Sequence, residues 1–317
     1  MNGPNADFAV RLVHREDPNH STALHVALGA RPPERAGQPD PRVAGLLADS
    51  RDRSLSIELL VAAFQGEECL SAALAVESPG RAALVFVPED EDADDRRQAT
   101  IACLQALQRA ARERCIILLE MLLPPDSERL AVSVRASGFR YLTRLLYLRR
   151  TVDPAASGLG PAGALRWVTY DAGQDELFAD AVERTYAQSL DCPELTGLRP
   201  MSDVLAAHRA AGVFDPTLWS LALRRDEPVA VLLLNRLPRQ PALEIVYMGV
   251  AQVARGTGVA NDVLRRAVDA AGRSGATSLA LAVDQRNAPA RRVYARWGFA
   301  EFAARDAWIV TSSPTEG

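Results

Sequence analysis

The sequence contains no lysine, so its 36 Lys-plus-Arg positions are all arginines. This absence excludes a lysine as a phosphate ligand and leaves that task to arginine side chains and backbone N–H groups. The sequence also has no apolar run of 18 or more residues and no signal-peptide pattern at its start. These absences argue against a membrane span or a membrane partner, and they predict a cytoplasmic protein.

Cysteine is scarce, and basic residues are not clustered. Cys69, Cys103, Cys115 and Cys192 lack metal-ligand spacing, which predicts no metal site and favours buried free thiols in a reducing compartment. The formal net charge is −4, and no basic run stands out. This charge balance argues against nucleic acid as a partner.

Length and a low-complexity stretch predict two domains. A chain of 317 residues is about twice as long as a typical domain. The stretch TVDPAASGLGPAGA at residues 151–164 is rich in Gly, Pro and Ala and separates two periodic regions. We therefore expect domains at residues 1–150 and 165–317, joined by a linker at residues 151–164.

Hydrophobic periodicity predicts similar elements in the two halves. Strands are predicted in the first half at residues 57–64, 70–76, 82–87, 116–121 and 141–148, with helices near 101–111 and 127–136. The second half has predicted helices at 175–189, 201–212, 259–271 and 288–297, and strands at 219–223, 229–235, 243–250, 278–283 and 307–310. Placing Gly138 on Gly298 gives an offset of 160 (298 − 138) that brings these elements into register. We interpret this as a duplicated domain; the alternative is two unrelated α/β units with a similar ending.

A glycine turn follows the predicted strand at residues 243–250. In AQVARGTGVANDVLRRAV, Arg255, Gly258 and Ala260 form R-x-x-G-x-A, and an apolar stripe marks the helix that follows. Small residues at a helix N-terminus let backbone N–H groups approach an anion such as a pyrophosphate, although such a turn is often only a turn. A dinucleotide-binding turn requires G-x-G-x-x-G in a parallel βαβ unit, and the spacing here excludes it.

A second segment, VDQRNAPARRVYARWGF, places Asn287 at a strand exit, Tyr294 on the next helix and Gly298 at its end. Together the two motifs resemble the GNAT N-acetyltransferase superfamily over roughly residues 165–310. The resemblance implies an α+β fold in which each domain has a mixed, mostly antiparallel sheet flanked by helices. The tandem arrangement with an intact second copy is similar to that of mycothiol synthase and related two-domain acetyltransferases.

The resemblance also implies roles for individual residues. Acetyl-CoA is the expected co-substrate, and Tyr294 matches the tyrosine that protonates the leaving thiolate. Glu244 matches a carboxylate that deprotonates the incoming amine, although a solvated residue at the strand start is nearly as good an interpretation. The expected cofactor-binding residues are Met248, Val250, Arg255, Gly256, Thr257, Gly258, Val259, Ala260 and Asn287.

The acceptor is expected to be the amine of a small molecule or a peptide, bound near residues 186–200 and Trp219. Asp191 and Glu194 are candidates to attract a cationic amine, and Arg199 is a candidate to hold a carboxylate; capping acids in an ordinary loop are the alternative. His208 is interpreted as a polar helix residue. Candidates for the 3′-phosphate of CoA, or simply solvated helix charges, are Arg286, Arg291 and Arg292.

The first half lacks the corresponding motif. At the offset of 160, Gly258 corresponds to Gln98 and Glu244 to Leu84, within the acidic stretch VPEDEDADDRRQ or near it, and Tyr294 corresponds to Val134. We therefore expect a degenerate copy without catalysis. The main hypothesis is an N-acetyltransferase; the alternative is a catalytically idle CoA-binding or regulatory module, which has no need of Tyr294 or Glu244. The identity of the acceptor and the oligomeric state stay open.

Overall fold

The computed structural model describes residues 8–30, 40–52, 55–89, 93–153 and 165–312. Most of the linker predicted at residues 151–164 lies outside these ranges. The chain divides into two compact units: unit 1 consists of residues 1–142 and 306–317, and unit 2 of residues 143–305. Within the described residues, no helix is both long and apolar enough to cross a membrane.

Unit 1 is a mixed sheet with helices. Its sheet has the order β1-β2-β3-β4-β5 followed by the C-terminal half of β12, and every pairing is antiparallel except β4 with β5. Its elements are β1 (Ala9–Leu12), α1 (His20–Ala27), α2 (Pro41–Asp52), β2 (Ser56–Gln65), β3 (Glu68–Ser78), β4 (Ala82–Phe86), α3 (Asp94–Glu113), β5 (Leu118–Leu123), α4 (Glu128–Ala136), the start of β6 (Arg140–Thr151) and the end of β12 (Ala300–Thr311).

Unit 2 has the same arrangement, with the strand order β12-β6-β11-β10-β9-β8-β7. Strands β10 and β11 are parallel, whereas β6 with β11, β10 with β9, β9 with β8 and β8 with β7 are antiparallel. Besides parts of β6 and β12, the unit contains β7 (Arg166–Thr169), α5 (Asp175–Tyr186), α6 (Met201–Ala210), β8 (Trp219–Arg224), β9 (Glu227–Arg236), β10 (Ala242–Val250), α7 (Val259–Arg273), β11 (Ser278–Asp284) and α8 (Ala288–Arg296).

The compact units do not end where the sequence analysis placed the domain boundaries. From Thr143 onward β6 belongs to unit 2, where Leu145–Thr151 pairs with β11. From Asp306 onward β12 belongs to unit 1, where it pairs with β5. Each half of the sequence therefore supplies the last strand of the other unit, and no local feature of the sequence signals this exchange.

Element boundaries confirm the duplication. Helices α4 and α8 span residues 128–136 and 288–296, and strands β6 and β12 span 140–151 and 300–311, so both pairs differ by 160 (288 − 128 and 300 − 140). Strands β5 and β11 begin at residues 118 and 278, again 160 apart (278 − 118). The tandem arrangement that the sequence predicted is thus present element by element.

Some predictions differ from the structure. Strands β1 and β7 and helices α1 and α2 were not predicted, and β12 begins at Ala300, seven residues (307 − 300) before the predicted start. Cys69 and Cys103 are buried as expected, whereas Cys115 is exposed and Cys192 is partly exposed. These elements are short or half-exposed, and such segments carry weak periodic signals.

Two apolar clusters enclose the sheet of unit 2. One packs β9, β10 and β11 against α7 and α8 and includes Val263, Leu264 and Tyr294. The other packs the opposite sheet face against α5 and α6 and includes Phe178 and Trp219. The middle of β10 therefore lies between two helical layers, and its side chains reach both.

Candidate active site

Strands β10 and β11 are paired at their starts and separate afterwards. The parallel pairing runs from Ala242 with Ser278 to Ile245 with Leu281. A bulge at Val246 follows, because Ile245 lies opposite Leu234 while Tyr247 lies opposite Leu233. Beyond the bulge β10 stays paired with β9 as far as Val250, but the described structure contains no further pairing with β11. A bulge bends a strand, and the result is a wedge between the two strand ends.

The wedge leads into the glycine turn predicted from the sequence. A 3-10 helix at Gln252–Ala254 is followed by Gly256 and Gly258, whose φ angles of 75° and 93° lie in the left-handed region that glycine adopts readily. A Cβ atom built on either glycine has no heavy atom within 4 Å, so the space above the turn is open. The turn therefore forms an exposed backbone cradle.

The cradle opens directly into α7, whose first turn has no side-chain cap. Among the described residues, the backbone N–H groups of Gly258, Val259 and Ala260 have no hydrogen-bond acceptor. Unpaired donors and the helix dipole at this end together favour an anion. The cradle thus fits a pyrophosphate group, with Thr257 tied back to the carbonyl of Ala254 by a 2.8 Å hydrogen bond.

The side chain of Arg255 is not directed at this cradle. Its guanidinium donates to the carbonyl oxygens of Gln188 and Thr185, both at 2.9 Å. Its Nε donates to the carbonyl of Val250 at 3.0 Å. Because carbonyls at a helix C-terminus lack helical partners, Arg255 connects the end of α5 to the end of β10. Its side chain supports the cradle, and only its backbone is placed to contact a ligand there.

Tyr294 lies on α8 with its hydroxyl beside β10. The side chain is buried, its ring packs edge-on against Phe299 at 5.7 Å, and its hydroxyl is 3.9 Å from the Met248 sulfur. Burial raises the pKa of Tyr294 well above its usual value, so the phenol stays protonated at any working pH. A proton donor is thus available beside the splayed part of β10.

Asn287 begins α8 and is a structural cap. Its side chain accepts a 3.2 Å hydrogen bond from the backbone N–H of Ala290, as an N-cap residue does. Asn287 therefore stabilises the N-terminus of the helix that carries Tyr294.

Glu244 lies on the sheet face that is covered by α5 and α6. It is directly opposite Asn235 in β9, and residues directly opposite each other in an antiparallel pair share a face. Asn235 is buried, donates to the carbonyl of His208 on α6 at 2.7 Å and accepts from Trp219 at 3.0 Å. Glu244 is therefore on the face of β10 that α5 and α6 cover, two residues before the bulge that opens the wedge.

Close packing explains why residue 249, which lies on β10 beside α5, is a glycine. A Cβ atom at this position would be 2.3 Å from Thr185 Oγ1 and 2.7 Å from the hydroxyl of Tyr247. We expect Gly249→Ala to lower the free energy of unfolding by about 1–3 kcal/mol through overpacking. Urea unfolding measures this, with Gly45→Ala as the control, because a Cβ there meets nothing within 4 Å. Equal stability of the two variants would contradict this account of the packing.

Part of unit 2 is similar in sequence to a known protein family. Residues 182–299 match the model of the Acetyltransferase (GNAT) family. Unit 2 contains a GNAT domain. The matched range includes Glu244, the glycine cradle, Asn287 and Tyr294. No curated protein matches the sequence of the chain.

Similarity to solved structures covers nearly the whole chain and not only the residues that match the GNAT family model. A GCN5-related N-acetyltransferase from Sphaerobacter thermophilus has 18% identity and a TM-score of 0.62, with 96% of each chain covered. A tandem GNAT protein from the clavulanic acid biosynthesis pathway has 14% identity and a TM-score of 0.54, covering 98% of this chain and 100% of that one. At such identities the likeness shows the fold, which is the tandem GNAT arrangement. The finer resemblance to mycothiol synthase stays a prediction.

Several residues that the sequence analysis proposed for ligand binding are buried or paired elsewhere in the structure. Trp219 is completely buried in an aromatic cluster and cannot line a pocket. Arg286 pairs with Glu194 and Asp284, so it is not available for the 3′-phosphate. Arg291 and Arg292 are exposed on α8.

His208 is more than the polar helix residue that the sequence suggested. Its ring lies 5.3 Å from the ring of Tyr247, and its Nε2 is buried without a hydrogen-bond partner among the described residues. Burial lowers the pKa of His208 to about 4, so the imidazole is neutral at working pH. A single histidine in an amphipathic helix carries no sequence signal for such a position.

In the described part of unit 1, a helix occupies the place that corresponds to the cradle. Helix α3 begins at Asp94, whereas the start of α7 at Val259 corresponds to residue 99 (259 − 160). An additional helical turn therefore takes the place of the glycine turn, and the acidic stretch is helical from Asp94 onward. Asp94 and Asp95 lie in the first turn of α3, where carboxylates stabilise a helix N-terminus and occupy the place of an anion. Asp90, Glu91 and Asp92 lie outside the described residues.

Proposed function

We propose that the GNAT domain of unit 2 transfers an acetyl group from acetyl-CoA to the amine of a small molecule or a peptide. The observation that carries this proposal is the uncapped glycine cradle at the start of α7, next to the wedge between β10 and β11. Acetyl-CoA would supply an acetyl group that is activated as a thioester. The cradle would hold its pyrophosphate, and Met248 and Val250 would pair with its pantetheine arm through their backbone groups.

Tyr294 is suited to serve as the general acid. Acyl transfer to an amine releases a thiolate, which must gain a proton before CoA leaves. The phenol is protonated because burial raises its pKa, and its hydroxyl already lies 3.9 Å from a sulfur atom, that of Met248. Asn287 orients this helix by capping it.

Glu244 is suited to serve as the general base. An alkylamine is protonated at neutral pH, and it attacks the thioester only after it has lost a proton. Glu244 shares a sheet face with Asn235, which bonds to α6, and the loop between α5 and α6 would hold the acceptor on this side of β10. A water molecule between the carboxylate and the ammonium would serve the same purpose.

We expect Glu244→Gln to lower the turnover rate at pH 7 by about 10²-fold and to recover activity at high pH. The reason is that alkaline solution removes the proton that Glu244 would otherwise accept. The measurement is a rate–pH profile of both proteins from pH 6 to about pH 10, near the pKa of an alkylamine. Equal loss at every pH, or no loss, would show that Glu244 is not the base.

An unbiased panel of amines, with detection of the released CoA thiol, tests the proposed reaction as a whole. We expect at least one amine to release stoichiometric thiol and to gain an acetyl group by mass spectrometry. Binding of acetyl-CoA without transfer to any amine would instead support a catalytically idle CoA-binding module.

A further inference from the structure

The sheet face that carries Glu244 continues across two further strands of unit 2. Glu244 in β10 lies opposite Ala280 in β11, and Ala280 lies opposite Arg149 in β6. Residues directly opposite each other share a face, so Glu244 and Arg149 belong to one row of this face. Because neighbouring strands are about 4.8 Å apart, their Cα atoms are separated by roughly 10 Å. A cation is thus held at a fixed distance from the proposed general base.

The next row of the same face forms an open shelf beside the wedge. Ala282 is exposed and is the first position on this face of β11 after its pairing with β10 ends. It lies opposite Tyr147 in β6, whose ring meets the ring of Phe302 in β12 edge-on at 6.3 Å. The side chain of Phe302 is 49% exposed. The shelf therefore offers apolar and ring surface to a group that extends out of the wedge.

The side chain of Arg149 is stacked at the end of this shelf. Its guanidinium carbon lies 4.2 Å from the centre of the Phe302 ring. Within the part of the chain that the structure describes, this guanidinium forms no ion pair and no hydrogen bond. Arg286 differs, because Glu194 and Asp284 neutralise it. Stacking occupies the face of a guanidinium and leaves the N–H groups at its edge for a planar anion.

From this arrangement we infer that the shelf binds an oxyanion of the acceptor, with Arg149 as the ligand and the rings of Tyr147 and Phe302 against the adjoining apolar chain. The substrate class is an amine that carries a carboxylate or a phosphate roughly 10 Å from its nitrogen, which is two strand spacings. A guanidinium binds either group through paired N–H···O bonds. This inference rests on the proposed acetyl transfer, in which Glu244 faces the amine.

The test compares three acceptors with the same alkylamine and the same carbon chain: ω-aminohexanoate, ω-aminohexyl phosphate and hexylamine. Steady-state kinetics with the full chain and saturating acetyl-CoA gives kcat/KM for each. We expect the wild type to prefer one or both acids to hexylamine about tenfold or more, and Arg149→Gln to remove this preference without changing kcat/KM for hexylamine. The preferred acid identifies the oxyanion. Phe302→Leu should reduce the preference about threefold, because the cation stays but loses the ring that holds it.

The matched control is Arg296→Gln, which removes an equal charge from the exposed last turn of α8. Helix α8 packs against the opposite face of the sheet, so we expect this variant to keep the preference. An equal loss in Arg296→Gln would assign the effect to net charge and overturn the inference. A wild type without the preference, or an unchanged preference in Arg149→Gln, would overturn it as well.

Calorimetric titration with each acid in the presence of CoA gives a second readout that needs no turnover. Binding that Arg149→Gln weakens about tenfold supports the inference even if no acetyl transfer occurs, in which case the proposed reaction fails alone. Transfer at equal rates to hexylamine and to both acids would overturn the inference and leave the reaction intact. Absence of both binding and transfer in the wild-type protein would overturn both.

Discussion

Replacing Gly258 by Glu abolishes acetyl-CoA binding by the entire chain, because unit 2 is expected to hold the only cofactor site. The substitution places a carboxylate on a cradle whose unpaired N–H groups would hold a pyrophosphate. Two like charges at 4–6 Å repel each other by about 1 kcal/mol or more near a surface, and the strained φ of 93° opposes any side chain here. Calorimetry should therefore report one site per chain in the wild type and none in the variant.

The control for this experiment is Gly173→Glu. Gly173 also has a left-handed φ, of 90°, and open space around its Cβ position, but it lies in the turn before α5. It therefore carries the same strain and the same added charge away from the cradle. Two sites in the wild type, or any saturable binding that survives Gly258→Glu in a folded protein, would contradict the prediction. Intact chains are required, since a fragment ending near residue 150 lacks the strand that Asp306–Thr311 adds to unit 1.

Replacing Tyr294 by Phe should lower kcat by about 10²-fold or more while leaving acetyl-CoA affinity nearly unchanged. The ring and its contact with Phe299 remain in the variant, and only the proton donor is lost. Because the pKa of Tyr294 is raised, wild-type activity should not fall through loss of this proton as pH increases from 7 to about 9.

The matched control removes the hydroxyl from Tyr147, which lies on β6 beside Phe302. Turnover by Tyr294→Phe at the wild-type rate would assign this tyrosine to packing alone. A large loss of acetyl-CoA affinity without a loss of kcat would also contradict the role of general acid, because binding and proton transfer are separated by the two measurements.

Glu244 and Asp191 illustrate how far the site could be predicted. The position of Glu244 in LEIVYMGV and the alternation of a strand were enough to nominate it, and its opposition to Asn235 shows which face it shares. Asp191 was one of several acids in a loop, and sequence alone did not separate it from Glu194. The separation depends on Arg286, 92 residues away from Glu194, whose guanidinium donates hydrogen bonds to Glu194 and, among the described residues, not to Asp191.

The amino-acid sequence by itself determined the repeated order of elements, the glycine turn and the helix that carries Tyr294. These features are local: apolar periodicity specifies a helix or strand, and glycine permits left-handed backbone. Tertiary structure alone decided the exchange of β6 and β12 between units, the replacement of the cradle by an additional turn of α3, and the ion pair between Arg286 and Glu194. Each of these depends on which distant strand or charged group packs alongside, and pairing across more than a hundred residues leaves no periodic trace in the chain.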